Sequence, residues 1–128
     1  MVSLRGLFMQ SSGFSGAIHE TFLWIEQLEA LGLSMNSLAG PVPPGFGIKF
    51  QKLLSLDMSL NGFSGAFPTG IVKCLMLQRF EVQGNAFTGE LPVGLWSLPV
   101  LQVLRTHNNR FFGRLPEFPD GEPRLEQV

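Results

Sequence analysis

The sequence of 128 residues lacks several features that would point to particular classes of protein. It has one cysteine, so we expect no internal disulfide. Its formal net charge is −1, and this balance offers no basic surface for nucleic acid. No apolar run reaches the ~18 residues that a membrane-spanning helix needs. We therefore expect no nucleic-acid partner and no membrane contact within this segment.

Motifs for phosphate binding, N-glycosylation and metal binding are also missing. No G-x-x-x-x-G-K stretch occurs, and the Asn36-Ser37-Leu38 stretch only approaches a glycosylation sequon. Cys74 has no partner at metal-ligand spacing, because His19 lies two repeats away, and we predict that Cys74 is a small core residue. The sequence therefore predicts no cofactor and no metal site.

The sequence does contain a motif that recurs every 24 or 25 residues. Its clearest copies read NGFSGAFP from Asn61 and NAFTGELP from Asn85. A period of this length is typical of solenoids, in which stacked repeats bury one continuous core. We call the residue at the Asn position of this motif the marker of its repeat. The markers of repeats one to five are Ser12, Asn36, Asn61, Asn85 and Asn109.

Each repeat carries the pattern L-x-x-L-x-L before its marker, and this pattern predicts its local structure. The alternation at the end of the pattern predicts a short strand that pairs in parallel with the same strand of the next repeat. The three-residue apolar spacing on the return side, as at Ile71 and Cys74, predicts short 3₁₀ turns. Trp24 and Trp96 lie on return segments, where we expect them to pack over the convex rim. A ladder of marker amides that bond turn backbone groups is predicted from Asn36, Asn61, Asn85 and Asn109.

The repeats predict a single array over residues 1–128. Leu125 and Val128 fit the first apolar positions of a sixth repeat, so we expect a longer array that is cut within that repeat. Residues 117–124 break the apolar pattern and contain two prolines, which predicts an irregular loop. Because each repeat buries its apolar face only on its neighbours, we expect both ends to expose core. We therefore expect the segment alone to associate or unfold readily.

The full pattern L-x-x-L-x-L-x-x-N-x-F-S-G-x-I/F/L-P resembles the plant-specific class of leucine-rich repeats over essentially the whole chain. This resemblance implies an α/β-type right-handed solenoid with a parallel concave β-sheet and a mostly 3₁₀ or irregular convex side. It also implies a second small sheet around the F-S-G-x-x-P portion. Residues 91–104 and 125–128 resemble one branch of receptor-like kinases whose kinase domain is described as inactive.

Arrays of this class are typical of the ectodomains of plant receptor-like kinases and receptor-like proteins, and of secreted polygalacturonase inhibitors. The resemblance implies a noncatalytic recognition segment of a receptor-like kinase ectodomain, on the extracellular side of the plasma membrane. Its partner would be a peptide or protein ligand or a co-receptor ectodomain, and any kinase-like domain would lie outside this chain. The alternatives are a secreted inhibitor of a cell-wall hydrolase and a structural gene fragment with no independent function.

The outward strand positions predict the surface on which a ligand would bind. They form rows across the concave sheet, with charged residues on repeats three to five, and Met35 and Leu60 add apolar edge positions. A solvated face with a cross-strand Glu81–Arg105 pair is the alternative. An enzyme is not expected, because an open sheet gives Asp57 and Glu81 no cleft for glycosidase chemistry. The candidate ligand-binding residues are Phe8, Asp57, Arg79, Glu81, Gln83, Arg105 and His107.

Overall fold

The computed structural model describes residues 4–112 and 126–127, which form a solenoid of stacked repeats. Successive repeats contribute short strands to two parallel sheets, as the alternating apolar pattern predicts. In chain order the strands are β1 Gly6–Phe8, β2 Ser15–Gly16, β3 Ala30–Gly32, β4 Ser37–Pro41, β5 Ser55–Asp57, β6 Gly62–Ala66, β7 Arg79–Glu81, β8 Ala86–Thr88, β9 Val103–Arg105 and β10 Glu126–Gln127.

The larger, concave sheet has the strand order β1-β3-β5-β7-β9-β10 and keeps the same register between repeats. Leu31 lies opposite Leu7 on one side and Leu56 on the other, and Leu56 lies opposite Phe80. The repeat period therefore places equivalent residues next to one another, which confirms the predicted parallel sheet. The central outward row of this sheet consists of Phe8, Gly32, Asp57, Glu81 and Arg105.

The smaller sheet, in the order β2-β4-β6-β8, forms just after the markers. The Gly that follows a marker by four residues lies within β2, β4 and β6 and directly after β8. Gly40 and Gly65 have φ angles of +82° and +76°, a left-handed conformation that side chains with a Cβ rarely adopt. The second sheet that the resemblance implies is thus present, and its glycines provide the backbone path it needs.

The convex side consists of short helical turns. Three of the described turns are 3₁₀ segments, as predicted: Glu20–Trp24, Thr69–Lys73 and Val93–Ser97. The fourth is the α-helical turn α1, Phe46–Lys49, in the one repeat of 25 residues. There the Lys49 N–H donates to the Gly45 carbonyl at 2.9 Å, an i to i−4 bond. This turn is therefore α-helical, and the 3₁₀ prediction is wrong for this repeat.

Aromatic rings fill much of the space between the sheets and the convex turns. Phe63, Phe87 and Phe111 follow three successive markers and stack with centroid distances of 6.0 and 5.9 Å. Phe67 contacts Phe80 edge-to-face at 5.0 Å, so rings from the turn and the strand interlock. The buried positions of the strand pattern include Leu28, Leu31, Leu33, Leu53, Leu56, Met58, Leu77, Phe80, Val82, Leu101 and Leu104.

The two tryptophans differ in their surroundings. Trp96 is half-buried and packs against the core, as predicted. Trp24 is 72% exposed, so its predicted packing is wrong, because the adjacent Leu23 takes the buried position of that turn. Leu4 and Phe14 in repeat one are exposed, in keeping with an end repeat that has one neighbour among the described residues. The loop predicted at 117–124, and residues 125 and 128, lie outside the described residues.

Candidate functional site

The marker asparagines hold each turn to the repeat that precedes it. Asn61 Nδ2 donates to the Leu33 carbonyl at 2.9 Å, and Asn61 Oδ1 accepts from the Leu38 N–H at 3.1 Å. In repeat one, Ser12 Oγ donates only within its own repeat, to the Gln10 carbonyl at 3.1 Å. The asparagines thus form a framework for the concave face. Equivalent bonds join Asn36 to Met9 and Phe14, Asn85 to Met58 and Phe63, and Asn109 to Val82 and Phe87.

The residue before each marker has a left-handed backbone, a feature that the sequence interpretation missed. The sequence signal for it was Gly84 and Asn108, because Gly and Asn are the residue types that most readily adopt the left-handed conformation. Met35 and Leu60 adopt it as well, although they are large apolar residues, and both side chains are exposed. These positive φ values, between 53° and 72°, occur at Ser11, Met35, Leu60, Gly84 and Asn108.

Three charged residues on β7 and β9 form a contact cluster, which we call the Arg–Glu cluster: Arg79, Glu81 and Arg105. Glu81 Oε1 lies 3.5 Å from Arg79 Nη2 and 3.3 Å from Arg105 Nη1. The predicted cross-strand pair therefore forms, with a second guanidinium added. Glu81 is only 8% exposed, which differs from the solvated position expected for it. A carboxylate this deeply buried needs such charged partners to offset its loss of hydration.

Asp57, the neighbour of Glu81 in the central row, has a different environment. Its Oδ1 accepts from the Ser59 hydroxyl at 2.6 Å and from the Ser59 N–H at 3.0 Å. Ser59 is itself buried, which keeps the carboxylate in one orientation. Within the described residues, no cation lies at ion-pair distance from Asp57.

Phe8 is the exposed aromatic residue of the central row, with 66% of its surface accessible. A Cβ placed on Gly6 would lie 3.1 Å from Phe8 Cε2, and one placed on Gly32 would lie 3.2 Å from Phe8 Cδ1. The ring therefore lies across both glycines, close to the sheet, where any larger residue would displace it.

Gln83 and His107 lie in the row beside the cluster. Gln83 is half-buried, and its Oε1 has no hydrogen-bond partner among the described residues. His107 is exposed, and its carbonyl accepts from the Gly84 N–H at 3.1 Å. The structure thus brings Arg79, Glu81 and Arg105 into contact, whereas Phe8 is separated from Asp57 by strand β3.

Cys74 belongs to the convex core. Its Sγ donates to the Gly47 carbonyl at 3.4 Å and to the Phe50 carbonyl at 3.3 Å. Burial raises the pKa of this thiol to about 11, so it is a protonated packing residue rather than a nucleophile. The described part of the chain contains no group of three His, Cys, Asp or Glu side chains placed to bind a metal.

An open groove of about 300 Å³ lies on the convex side, away from the central row. Two polar contacts cross it: Lys49 Nζ to Glu26 Oε1 at 3.4 Å and Lys52 Nζ to Gln27 Oε1 at 2.5 Å. Its polar groups are thus largely paired with each other. Among the described residues, no helix has the length and apolar character needed to cross a membrane.

Several solved structures that are similar to this fold come from plant receptors. The BIR2 ectodomain from Arabidopsis thaliana superposes with a TM-score of 0.82 and 31% identity, over 86% of this chain and 57% of that chain. The plant peptide hormone receptor RGFR1, in complex with RGF2, gives 0.86 and 25%, over 98% of this chain and 20% of that one. The Arabidopsis receptor kinase HAESA, with the peptide hormone IDA and the co-receptor SERK1, gives 0.78 and 28%, over 91% and 19%.

Curated relatives from Arabidopsis thaliana match shorter stretches. Receptor-like protein 41 is 44% identical over 62 residues, and Serine/threonine-protein kinase BRI1-like 1 is 38% identical over 53 residues. These matches cover 48% and 41% of this chain but only 7% and 4% of the relatives. The chain matches no protein-family model. The fold is therefore a leucine-rich-repeat solenoid, and its structural neighbours are ectodomains of plant receptor kinases.

Proposed function

We propose that this chain is a noncatalytic recognition segment of a plant receptor kinase ectodomain, and that it binds a peptide or a partner ectodomain on its concave face. The observation that carries this proposal is the central row, where register places an exposed ring and oriented charges on one open surface. Repeat arrays bind partners on such extended faces. The HAESA and RGFR1 structures, which contain peptide hormones, support the same use of this fold.

The environment of the carboxylates argues against catalysis on this face. Glu81 is bonded to two guanidinium groups, and Asp57 Oδ1 is occupied by Ser59. A glycosidase pair needs two carboxyl groups that reach a sugar within a cleft, whereas both carboxyl groups here are held by protein partners on an open sheet. We therefore place the chain among binding modules, with any kinase domain in another part of its parent protein.

The parent protein would present this segment on the extracellular side of the plasma membrane, because the neighbours are ectodomains of receptors. Its assignment to the branch with an inactive kinase domain rests on the resemblance of residues 91–104 and 125–128. The secreted-inhibitor alternative has less support, since the solved structures compared above are receptor ectodomains.

An exchange of charges tests the binding face. Peptides would be selected on the immobilised chain from a random display library, and their affinities measured for the double variant Glu81→Lys, Arg105→Glu. This exchange retains a cross-strand pair but reverses the charges that a ligand meets. The matched control is Glu26→Lys, Lys49→Glu, which exchanges an ion pair on the convex side.

We expect the concave exchange to weaken the selected peptides at least about tenfold, because like charges facing each other across an interface cost more than 1 kcal/mol. The convex exchange should leave the affinities unchanged. Equal affinities for the wild type and the concave variant would overturn the assignment of this face.

A further inference from the structure

The two adjacent carboxylates of the central row differ in their partners. Glu81 has two guanidinium groups on one oxygen and is almost fully buried. Asp57 is half-buried and bonded through Oδ1 to Ser59, and no described residue bonds to its Oδ2. An oriented carboxylate that is not paired with a cation of its own chain can form a charge-assisted hydrogen bond with a cationic group of a ligand.

The arginines on the strand that follows Asp57 and just before the first strand have other partners. Arg79 on the neighbouring strand contacts Glu81, and Arg5 lies 3.9 Å from Glu29 at the sheet edge. The outward positions of β1 and β3 carry no charge at all: they are Gly6, Phe8, Ala30 and Gly32. The surface beside Asp57 therefore offers no cation from the strands on its N-terminal side.

The row geometry leaves space for such a group. Phe8, Gly32 and Asp57 lie opposite one another on three successive strands, so Phe8 and Asp57 are about 10 Å apart at the backbone. Gly32 is buried beneath the Phe8 ring and the Gln10 amide, and the ring itself remains largely exposed. A lysine or arginine side chain that lies over the exposed face of the ring would extend from there toward the Asp57 carboxylate.

We propose that Phe8, Gly32 and Asp57 form a subsite for a cationic side chain, lysine or arginine, of an extended peptide. The inference rests on the proposed function, since it specifies the chemistry of a peptide bound to the concave face. Asp57 provides the charge, Ser59 keeps the carboxylate oriented, and the Phe8 ring provides a cation–π surface. Gly32 has no side chain, which lets the Phe8 ring and the Gln10 amide lie close to the sheet.

A small probe tests the subsite without knowledge of the natural ligand. N-acetyl-L-argininamide would be titrated into the full chain and followed by NMR at the Gly32 amide and the Phe8 ring. N-acetyl-L-citrullinamide, which has nearly the same shape and no charge, is the matched probe. The variants are Asp57→Asn and Phe8→Leu, with the exposed convex Glu20→Gln as a control for net charge.

We expect the arginine probe to shift both resonances and the citrulline probe to shift neither. Asp57→Asn should weaken the arginine probe about fivefold, the scale of an exposed ion pair, and Phe8→Leu should weaken it by a smaller factor. Asn retains an oxygen that accepts from Ser59, so the fold should persist. Unchanged binding to Asp57→Asn, or shifts that map to another face, would overturn the subsite.

The peptides selected on the immobilised chain distinguish a failure of the cationic subsite from a failure of the proposed peptide-binding function. If they lose affinity on the Glu81–Arg105 exchange but tolerate Asp57→Asn and arginine-to-citrulline replacement, the face binds peptides and the cationic subsite is wrong. If no peptide binds while argininamide binds in an Asp57-dependent way, the subsite stands and the peptide-binding function is wrong.

Discussion

Gly47 and Ile71 bring the backbones of two successive repeats into direct contact on the convex side. A Cβ built on Gly47 would lie 2.2 Å from the Ile71 nitrogen, a distance that real Cβ atoms do not adopt. Gly47 belongs to α1, the α-helical turn of the 25-residue repeat. The contact shows how the array accommodates its one irregular repeat: the wider turn reaches the next one, and only glycine fits between them.

Gly47→Ala should therefore lower the free energy of unfolding by about 3 kcal/mol, because the backbone of repeat three must move. The matched control is Gly45→Ala in the same turn. Its Cβ would meet side-chain atoms rather than backbone, Leu23 Cδ1 at 3.2 Å and Lys49 Cγ at 3.8 Å, so we expect a loss below about 1 kcal/mol. Urea denaturation measures both values, and similar losses for the two variants would contradict the packing argument.

Substitutions at the marker positions should differ in how much they lower the free energy of unfolding. Asn61→Ala removes the bonds to the Leu33 carbonyl and the Leu38 N–H, and should cost about 1–3 kcal/mol. Asn61→Asp should cost more, because its carboxylate would face carbonyl oxygens. Ser12→Ala, in an exposed position, should cost less than about 0.5 kcal/mol. Thermal unfolding of the three variants checks the order, and a large effect at Ser12 would be the contrary outcome.

The array could be predicted from the sequence because the same period determines the strands, their register and the residues that face outward together. Equivalent apolar residues such as Leu31 and Leu56 recur at fixed spacing, so strand register and the central row followed directly. The burial of Glu81 could not be predicted in this way, because it depends on how two long arginine side chains extend across strands. Trp24 was misplaced for a related reason: the repeat pattern does not determine which of two adjacent apolar residues of a turn points inward.

Cys74 should make stability depend on alkaline pH. Its thiol ionises near pH 9 when unfolded and near pH 11 when folded, because burial raises its pKa. The folded state therefore retains the proton longer, and the stability present below pH 9 is lost as pH rises toward 11. The sequence has no tyrosine, so phenol ionisation does not contribute in this range.

We expect this thiol to account for a loss of about 1 kcal/mol between about pH 8 and pH 10. Cys74→Ala should be less stable at neutral pH but should lose less between these two pH values. Urea denaturation at each pH compares the two slopes. The same slope in both proteins would show that Cys74 does not cause the alkaline loss.

The Arg–Glu cluster should couple more strongly through Arg105 than through Arg79. The Arg105 contact with Glu81 is shorter, and its side chain is 31% exposed against 47% for Arg79. Double-mutant cycles with glutamine at each position should give about 0.2–1 kcal/mol for each pair, with Arg105 at the upper end. High salt should reduce the coupling energy of the Arg79–Glu81 pair more than that of the Arg105–Glu81 pair, because Arg79 is more exposed to the screening ions. Equal couplings at both salt concentrations would contradict this asymmetry.

The left-handed position before each marker offers a way to stabilise the array. Met35 has a φ of 59°, where an ordinary side chain costs about 1 kcal/mol and asparagine costs less. Met35→Asn should therefore raise the free energy of unfolding by about 0.5–1 kcal/mol. The reciprocal change, Asn108→Leu at a φ of 56°, should lower it by a similar amount. Because both side chains are exposed, opposite shifts in the urea midpoint would isolate the backbone effect, and shifts of the same sign would show that side-chain contacts dominate at this position.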